Sequence, residues 1–264
     1  MAKLPDQDNI ALEMYEAAAR SRDKARTYLG MSQIGNTCER ALWYQFRGYN
    51  AKPLDGRILM LFRFGDRIEE EIIYWLNKAG YKVEGQQEGF SDFNGSFRGH
   101  SDGTVHGITS QPHILECKSC NTKKFKAFKT NGIRRTSETY YAQSQCYMGY
   151  SGLERCLFVV QCKDTSELYT ERVYFDLDEF RSLKEKAHQI ISANDAPPIT
   201  LRETSFDCKW CDYAGHCRNP DETPLTNQTC GNCRHVYFDD IQPWCKVHQG
   251  KLNHWGKKCG DWDL

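Results

Sequence analysis

Two short stretches of the 264-residue chain combine carboxylates with a lysine. Asp102 lies in "SFRGHSDGT", and Glu116 and Lys118 lie in "PHILECKSC". Side chains alternate between the two faces of a strand, so Glu116 and Lys118 would share one face while Cys117 would point to the other. A turn at "GITSQP" would let the two strands pair and bring Asp102 beside Glu116.

These acids can do chemistry on a phosphate if they hold a metal ion. Two carboxylates at close range repel each other unless a cation lies between them. Mg²⁺ or Mn²⁺ prefers oxygen ligands and keeps water molecules that can attack phosphorus. A lysine beside the ion can orient or deprotonate the water, or neutralise charge that develops on the phosphate. The pattern favours phosphodiester hydrolysis, with an ordinary charged surface hairpin as the alternative.

A third carboxylate comes from a predicted helix over residues 59–80. The apolar stripe of this helix consists of Phe62, Gly65, Ile72, Ile73 and Leu76. Glu69 falls inside the stripe, whereas Glu70 and Glu71 fall outside it. A carboxylate that points inward should be paired or bind a metal. The alternative, that Glu69 meets an arginine or lies at the edge of the stripe, is equally open from the sequence.

The elements that must position these residues alternate along the chain. A helix is predicted over residues 8–28, and another over 137–152 puts Gln143 and Tyr147 on one face. Strands and helices continue to about residue 197, after which cysteine, tryptophan and glycine dominate. We therefore expect an α/β or α+β core and a tail that needs a metal to hold it together.

Composition limits where the chain acts. Net charge is zero, so any attraction to nucleic acid must come from a local patch. No apolar run is long enough to span a bilayer, and the charged N-terminus lacks the apolar segment of a signal peptide. We expect a cytoplasmic protein that does not bind membranes. Thirteen cysteines in a reducing compartment favour metal or iron–sulfur binding over disulfides.

The cysteines of the tail form two groups. Cys208, Cys211 and Cys217 offer three ligands where a metal centre needs four, and Cys38 is the spare candidate. The alternative is that Cys38 is a buried apolar residue and the other three bind zinc with His216.

The second group is Cys230, Cys233, Cys245 and Cys259, with His235, His248 and His254 nearby. Its spacing looks like a small zinc ribbon over residues 220–264, appended to a domain over 1–219. His248 could replace one of the cysteines. Cys146, Cys156 and Cys162 are predicted to be small buried hydrophobes instead.

The ordered set of motifs resembles the PD-(D/E)XK nuclease superfamily, especially its RecB-type and lambda-exonuclease-type branches. The set runs Gly65-x3-Glu69, Asp102, Glu116-x-Lys118 and Gln143-x3-Tyr147, and "YYAQSQCYMGYSG" is similar to the phage recombination exonucleases. The resemblance implies a restriction-endonuclease-like core, with a central mixed sheet flanked by helices. It implies that one or two divalent ions are held by Glu69, Asp102, Glu116 and the Cys117 carbonyl. Lys118 would be the catalytic lysine, and Gln143 and Tyr147 would touch DNA or support the site.

The split cysteine set resembles that of iron–sulfur RecB-type nucleases. That resemblance implies a [4Fe–4S] cluster held by Cys38, Cys208, Cys211 and Cys217, which joins the two ends of the nuclease domain. Arg40, two residues after Cys38, would contact a phosphate as in the C-x-R of those nucleases.

A basic segment follows the E-x-K motif. Seven basic residues and no acidic one lie from Lys118 to Arg135, and the predicted DNA contacts among them are Lys123, Lys124, Lys126, Arg134 and Arg135. Phe125 and Phe128 are interleaved and could stack or wedge bases. His100 would face the same site as Asp102, with a phosphate contact, a metal contact or no role all open. A solvated loop is the alternative for the whole segment.

The expected function is therefore a metal-dependent DNA exonuclease. By the resemblance, it would resect duplex ends 5′ to 3′ during recombination or repair, in a bacterial or phage-infected cell. A single-strand-annealing or single-strand-binding protein would be its partner. An endonuclease, a nuclease of the CRISPR-adaptation type that trims single strands, and a non-catalytic iron–sulfur DNA-binding module are the alternatives.

Overall fold

The computed structural model describes residues 9–20, 26, 28–252 and 259–263. The later part of the predicted first helix, at residues 21–25 and 27, lies outside them, and so does His254. The helices are α1 (Ile10–Arg20), α2 (Glu39–Phe46), α3 (Gly56–Lys78), α4 (Thr122–Thr136), α5 (Glu138–Ser151), α6 (Leu177–Ser192), α7 (Phe206–Lys209) and α8 (Ala214–Arg218). The strands are β1 (Leu29–Gly30), β2 (Lys82–Glu84), β3 (Glu88–Asp92), β4 (Phe97–Ser101), β5 (Gly103–His106), β6 (His113–Cys120), β7 (Arg155–Cys162), β8 (Leu168–Tyr174), β9 (Val236–Asp239), β10 (Gln242–Cys245) and β11 (Gly250–Lys251).

A five-stranded mixed sheet forms the centre of the molecule, in the order β2-β5-β6-β7-β8. β6 and β7 run parallel, and the other neighbours are antiparallel. Both central strands are largely buried, as expected for strands that are covered on both faces. The predicted class, a mixed sheet with flanking helices, is confirmed.

A break at Asp102 divides the chain between two sheets. β4 pairs with β1 and β3 in a three-stranded sheet, whereas β5 starts at Gly103 and joins the central sheet. Gly103 has a φ of 147°, which an L side chain rarely adopts, and a Cβ there would lie 3.1 Å from the Glu84 carbonyl oxygen. The sequence predicted one continuous strand through Asp102, and this prediction was wrong because the glycine turns the chain out of the first sheet.

Apolar side chains fill both sides of the central sheet. The larger cluster lies between the sheet, α4, α5 and α6, and the smaller one lies under α3. The smaller cluster consists of Ile68, Ile72, Ile73, Val105, Leu115, Cys117, Leu157 and Val159. Cys117 therefore points away from the face that carries Glu116, as alternation predicted. Phe62 was predicted to join the α3 stripe, but it is 56% exposed, because the residues of α3 that pack in this cluster are Ile68, Ile72 and Ile73.

The cysteine-rich tail packs on the same core. β9, β10 and β11 form a three-stranded antiparallel sheet, and the Asn194 side chain holds it to α6 through hydrogen bonds of 3.1 and 2.6 Å with the Phe238 backbone. The buried Arg47 guanidinium lies 5.3 Å from the Trp43 ring centre and 4.8 Å from that of Phe238. Whether residues 220–264 form a separate unit stays a prediction.

None of the helices in the described residues is both long enough and apolar enough to cross a membrane.

Candidate active site

The pairing of β5 with β6 brings the predicted acids together. Gly103 lies opposite Leu115, so Asp102 comes next to Glu116 at the end of this ladder. The backbone N–H of Cys117 donates a hydrogen bond of 2.7 Å to Asp102 Oδ2. The Asp102 carboxylate is thus fixed against β6, although it lies outside both neighbouring strands.

Glu116 is a buried acid with one charged partner. Its side chain is fully enclosed and contacts the Lys118 ammonium, and neither carboxylate oxygen accepts a hydrogen bond from any other described residue. Burial raises the pKa of Glu116 to about 8, and the charges of Asp102 and Glu69 add to the rise against the effect of Lys118. A buried carboxylate in these surroundings gains from the approach of a further cation.

Lys118 lies between acids and an aromatic ring. Burial lowers the pKa of its ammonium, but the carboxylates of Glu116 and Asp102 outweigh burial and the net pKa is raised. The nitrogen also lies 5.3 Å from the centre of the Tyr140 ring. The sequence analysis missed Tyr140, although its place on the helix that carries Gln143 could have indicated it.

Glu69 approaches the same acids from α3. Burial raises the pKa of Glu69 to about 7, and the charge of Asp102 adds to this effect. Gln87 Nε2 donates a hydrogen bond of 3.0 Å to Glu69 Oε1. Gln87 has a φ of 57°, which residues other than glycine seldom adopt. No sequence pattern points to Gln87, because the turn that carries it belongs to no motif.

Helix α5 covers this site with its predicted pair. Gln143 Nε2 donates a hydrogen bond of 3.1 Å to the Tyr147 hydroxyl, and both side chains are buried. Burial raises the pKa of Tyr147, and the nearby Glu116 raises it further. Gly99 of β4 lets the Tyr147 ring approach, since a Cβ there would lie 2.7 Å from the ring. Gln145 faces elsewhere, as predicted, and its amide bonds to the backbone between β8 and α6.

The donors that meet here are oxygens, with a lysine among them. Carboxylates arrive from α3, from the β4–β5 break and from β6. The N–H and C=O of a strand residue point toward the same neighbouring strand, so the Cys117 carbonyl faces the side on which Asp102 lies. Such a donor set fits Mg²⁺ or Mn²⁺ far better than a metal that prefers thiolates.

His100 is separated from the acids by the break in the strand. Arg98 and His100 are exposed on β4, whereas Asp102 is buried after the end of that strand, so His100 does not share a strand face with Asp102. Arg98 donates to the Gly95 carbonyl and its guanidinium lies 5.4 Å from the Tyr28 ring centre.

The basic segment after β6 is a helix rather than a loop. Asn121 caps α4 by accepting a hydrogen bond from the Lys124 N–H. Phe125 and Phe128 were expected to stack on bases, but they are 2% and 0% exposed and belong to the core. Their spacing of three is that of the buried stripe of an amphipathic helix, which explains the error.

The basic residues of α4 lie in different surroundings. Lys123, Lys126 and Arg135 are exposed. Lys124 lies 4.3 Å from the Tyr140 ring centre, so it is near Lys118, which contacts the same ring. Arg134 is close to Asp176 and Glu179 at the start of α6. Of these residues, Lys124 is thus the one that the contacts place beside the acidic site, whereas Arg134 lies near the acids of α6.

Arg40 is engaged within the protein. Its guanidinium donates hydrogen bonds to the Ala196 and Pro197 carbonyls at 3.2 and 2.7 Å and to the Tyr44 hydroxyl at 3.0 Å. These bonds hold α2 to the chain that enters the tail. A phosphate contact by Arg40 stays a prediction.

The first cysteine set comes together across the chain. Cys38, Cys208, Cys211 and Cys217 all line one pocket of about 300 Å³. Cys38 is the residue at which α2 begins, and the others come from α7, α8 and their connection. His216 does not line this pocket. Its ring packs on Tyr49, and its Nε2 lies 3.2 Å from the Asn50 carbonyl oxygen, so His216 is engaged on the other side of α8 from these cysteines.

The second cysteine set surrounds the tail hairpin. Cys230, Cys233 and Cys245 are buried, and Cys259 is half-buried. Burial raises the pKa of Cys230 to about 11, and Cys259 contributes to the rise. Among the described residues, ligand atoms of His248, Cys259 and Asp261 lie within 4.8 Å of one another. The sequence analysis included His248 as a substitute ligand but missed Asp261.

Comparison with known proteins shows similarity of fold only. No family model matches the chain, and no curated protein matches it. The crystal structure of SSO0001 is similar with a TM-score of 0.48 and 15% identity, over 79% of this chain and 96% of that one. The alkaline exonuclease LHK-Exo from Laribacter hongkongensis gives 0.45 and 18%, over 68% and 90%. A phage-related exonuclease from Haemophilus somnus 129PT gives 0.37 and 15%, over 47% and 66%. At these TM-scores and identities, the similarity concerns the fold and does not extend to function.

Proposed function

We propose that the protein is a divalent-metal-dependent deoxyribonuclease with a PD-(D/E)XK core. One observation carries the proposal: Glu116 is fully buried directly beside Asp102, and Lys118 is its ion-pair partner among the residues that the structure describes. Surface acids of a hairpin would be solvated instead. Buried acids with raised pKa values that converge with a lysine are characteristic of catalytic sites.

The residues that would hold Mg²⁺ or Mn²⁺ are Glu69, Asp102, Glu116 and the Cys117 carbonyl. A bound ion would supply Lewis-acid polarisation of the phosphate and activation of the attacking water. The fit is supported by the oxygen donors and by the mutual repulsion of the acids, which a cation would relieve.

The protein residues have separate tasks in this proposal. Lys118 provides a positive charge where the phosphate gains negative charge in the transition state. Cys117 fixes Asp102 through its N–H, and Gln143 fixes the Tyr147 hydroxyl at the wall of the site. Lys123, Lys124, Lys126 and Arg135 would hold the phosphates of the substrate near the acids, with Arg40, His100 and Arg134 as weaker candidates.

The narrower proposal is an exonuclease that resects duplex ends 5′ to 3′ and passes the 3′ single strand to an annealing or strand-binding protein. It is tested with end-labelled linear, nicked and covalently closed circular DNA in Mg²⁺ and Mn²⁺. We expect progressive loss of label from linear DNA and no change in closed circles. Cleavage of closed circles would overturn the exonuclease and favour an endonuclease, and preference for single-stranded overhangs would favour the adaptation-type alternative.

Two further metal centres are proposed for the cysteine sets. Cys38, Cys208, Cys211 and Cys217 would hold a [4Fe–4S] cluster that closes the nuclease domain, which is supported by their common pocket and by the absence of His216 from it. Absorption near ~400 nm in protein purified without oxygen, lost in Cys38→Ser and kept in Cys146→Ser, is the expected result. A colourless sample that contains zinc would contradict it.

The tail module would hold one structural zinc ion. Cys230, Cys233, Cys245 and Cys259 are its proposed ligands, and His248 and Asp261 lie close enough to take part. Four thiolates at this spacing suit tetrahedral zinc, which stabilises small modules with little core of their own. Metal analysis of the wild type and Cys230→Ser should differ by one zinc per chain, and equal zinc contents would contradict this site.

A further inference from the structure

Two cysteines without a role in the proposed sites meet at the ends of the central parallel strands. Cys120 of β6 and Cys162 of β7 are partners in register. Neighbouring strands are about 4.8 Å apart, which falls inside the Cα separation of about 4.4–6.8 Å that a disulfide spans. Both side chains lie on the same face of the sheet, in the cluster covered by Phe125 and Phe128 of α4.

The sulfur of Cys162 lies in polar surroundings that a merely apolar cysteine would not have. The Thr122 hydroxyl lies 3.7 Å from Cys162 Sγ. Hydrogen bonds from the Thr165 hydroxyl, and then from the backbone of Asp164 and Thr165, hold the pKa of Cys162 below its ordinary value, although burial opposes them. The Cys162 side chain is 0% exposed, so oxidation requires a local opening at the end of β7, and within the pair its hydrogen-bonded sulfur is then the thiol that ionises more readily and reacts first.

Cys120 is the matching second thiol. It is 7% exposed, and Lys124, Lys163 and Asp164 surround it at the rim of the core. The Lys163 N–H donates a hydrogen bond of 2.8 Å to the Cys120 carbonyl, so the ends of the two strands are already joined by the backbone. Burial raises the pKa of Cys120, which suits the residue that resolves an oxidised partner rather than the one that attacks first.

We propose that Cys120 and Cys162 are an oxidisable dithiol that forms a disulfide on reaction with hydrogen peroxide. The Cys162 thiolate attacks one peroxide oxygen, the O–O bond breaks, and a sulfenic acid and water result. The Cys120 thiol then attacks that sulfur, an S–S bond forms and a second water leaves. Each sulfur loses one electron and hydrogen peroxide gains two.

This disulfide would act on the proposed nuclease site through Lys118. Lys118 and Cys120 share one face of β6 and are two residues apart, roughly 7 Å along the strand. The start of α4 is tied to the same place, because the Thr122 N–H and hydroxyl both bond to Asp164 Oδ2, at 2.7 and 2.6 Å. Pulling the two sulfurs together would shift the end of β6 and the lysine with it. This second part rests on the proposed function.

The disulfide is tested by peptide mapping of the full-length protein. Reduced protein is treated with equimolar hydrogen peroxide, denatured in an alkylating agent and digested. We expect a peptide that links Cys120 to Cys162 in the wild type, and its absence in Cys120→Ser and in Cys162→Ser. Cys156→Ser is the matched control, because Cys156 is buried on the same strand but has Ile114 as its register partner.

Two results would overturn the dithiol. One is that Cys120 and Cys162 both remain alkylated after peroxide treatment, and the other is that Cys162 becomes linked to a different cysteine.

The effect of the disulfide on the proposed nuclease site is measured separately, as the rate of DNA cleavage. Wild-type cleavage should slow by at least roughly tenfold after oxidation, because a shift of about 1 Å in a catalytic group can cost that much or more. Dithiothreitol should restore it, and Cys120→Ser should keep its rate under the same treatment.

An unchanged rate in fully linked protein would overturn the coupling to Lys118. If the reduced protein cleaves no DNA in any metal, the proposed nuclease function fails instead. The peptide map still decides the dithiol in that case, because it requires no activity.

Discussion

The backbone N–H of Cys117 donates a hydrogen bond of 2.7 Å to the Asp102 carboxylate. Asp102 lies at the break between two sheets, where no strand ladder holds it. This one bond joins the break to β6, the strand that carries Glu116 and Lys118. The thiol of Cys117 points into the core under α3 while its backbone serves the acids. Cys117 therefore contributes a backbone group to the site rather than a sulfur.

Two glutamines of α5 should affect different properties when they are replaced by alanine, Gln143 the rate of cleavage and Gln145 the stability of the fold. Gln143→Ala removes the partner of the Tyr147 hydroxyl at the wall of the site. We expect cleavage to fall about 10–100-fold with little change in Tm, as is typical for residues that orient a metal site. Rates and thermal unfolding are measured on the same preparations.

Gln145→Ala is the matched control for that variant. It removes a partner of the part-buried Tyr174 carbonyl and Asp176 N–H, at a cost of about 1 kcal/mol for each hydrogen bond. Its Tm should drop while the rate per folded molecule stays near that of the wild type. The assignment is wrong if Gln145→Ala, and not Gln143→Ala, loses activity while stable.

Gln87 should influence the affinity for the metal. Gln87→Ala removes the hydrogen bond to Glu69, and we expect the Mg²⁺ concentration for half-maximal cleavage to rise about tenfold. Gln87→Gly should do the same while stability is kept or improved, because glycine relieves a left-handed backbone that costs about 1 kcal/mol. Gln86→Ala, in the same turn, should change neither quantity. Unaltered metal dependence in both Gln87 variants would exclude the positioning role.

Stability should depend on pH through the buried acids. The folded-state pKa values of Glu69 and Glu116, about 7 and 8, exceed the ordinary value of about 4.3. The folded protein therefore holds protons that the unfolded chain releases, so these acids lower its stability as pH rises from about 5 to 8. Glu116→Gln should lack the part of this loss that Glu116 causes, so its Tm relative to the metal-free wild type should increase over that range.

Added Mg²⁺ provides the complementary measurement. An ion that replaces the protons should raise the Tm of the wild type more at pH ~8 than at pH ~6. The Glu116→Gln variant should gain less at both. A larger effect at the lower pH would contradict the inference that these acids bind the ion.

Substitutions in helix α4 should distinguish its buried residues, which contribute to folding, from its exposed residues, which would contribute to DNA binding. Phe128→Ala opens a cavity in the core and should cost about 3–5 kcal/mol of stability. Lys126→Glu changes an exposed residue, so stability should hold while DNA affinity and its salt dependence fall. A stable Phe128→Ala that no longer binds DNA would restore the stacking role predicted from sequence.

The sequence predicted the strands and helices of the site well where their patterns are periodic. β6 follows from the alternation in "HILECKSC", and the shared face of Gln143 and Tyr147 follows from helical spacing. Asp102 came beside Glu116 because a short turn between two strands leaves few ways to pair them.

Other features depend on contacts that a single sequence does not encode locally. The Glu84 carbonyl of a neighbouring strand lies 3.1 Å from where a Cβ of residue 103 would be, so the need for glycine at the break depends on a contact that is distant in sequence. The spacing of Phe125 and Phe128 is compatible both with an exposed surface that stacks on bases and with the buried stripe of a helix. Both rings are buried because α4 packs on the central sheet. Gln87 reaches Glu69 from a turn 18 residues away, through a backbone conformation that no motif records.

The central claim is that Glu116 and Lys118 form the catalytic centre of a metal-dependent nuclease. Its most direct test is the rate of cleavage of linear duplex DNA in Mg²⁺ by the wild type and by Lys118→Ala, with unfolding and DNA binding measured on both. We expect metal-dependent cleavage by the wild type and a loss of at least about 10²–10³-fold in the variant, with fold and binding kept. Absence of cleavage by the wild type in every divalent metal, or undiminished cleavage by a folded Lys118→Ala, would contradict the claim.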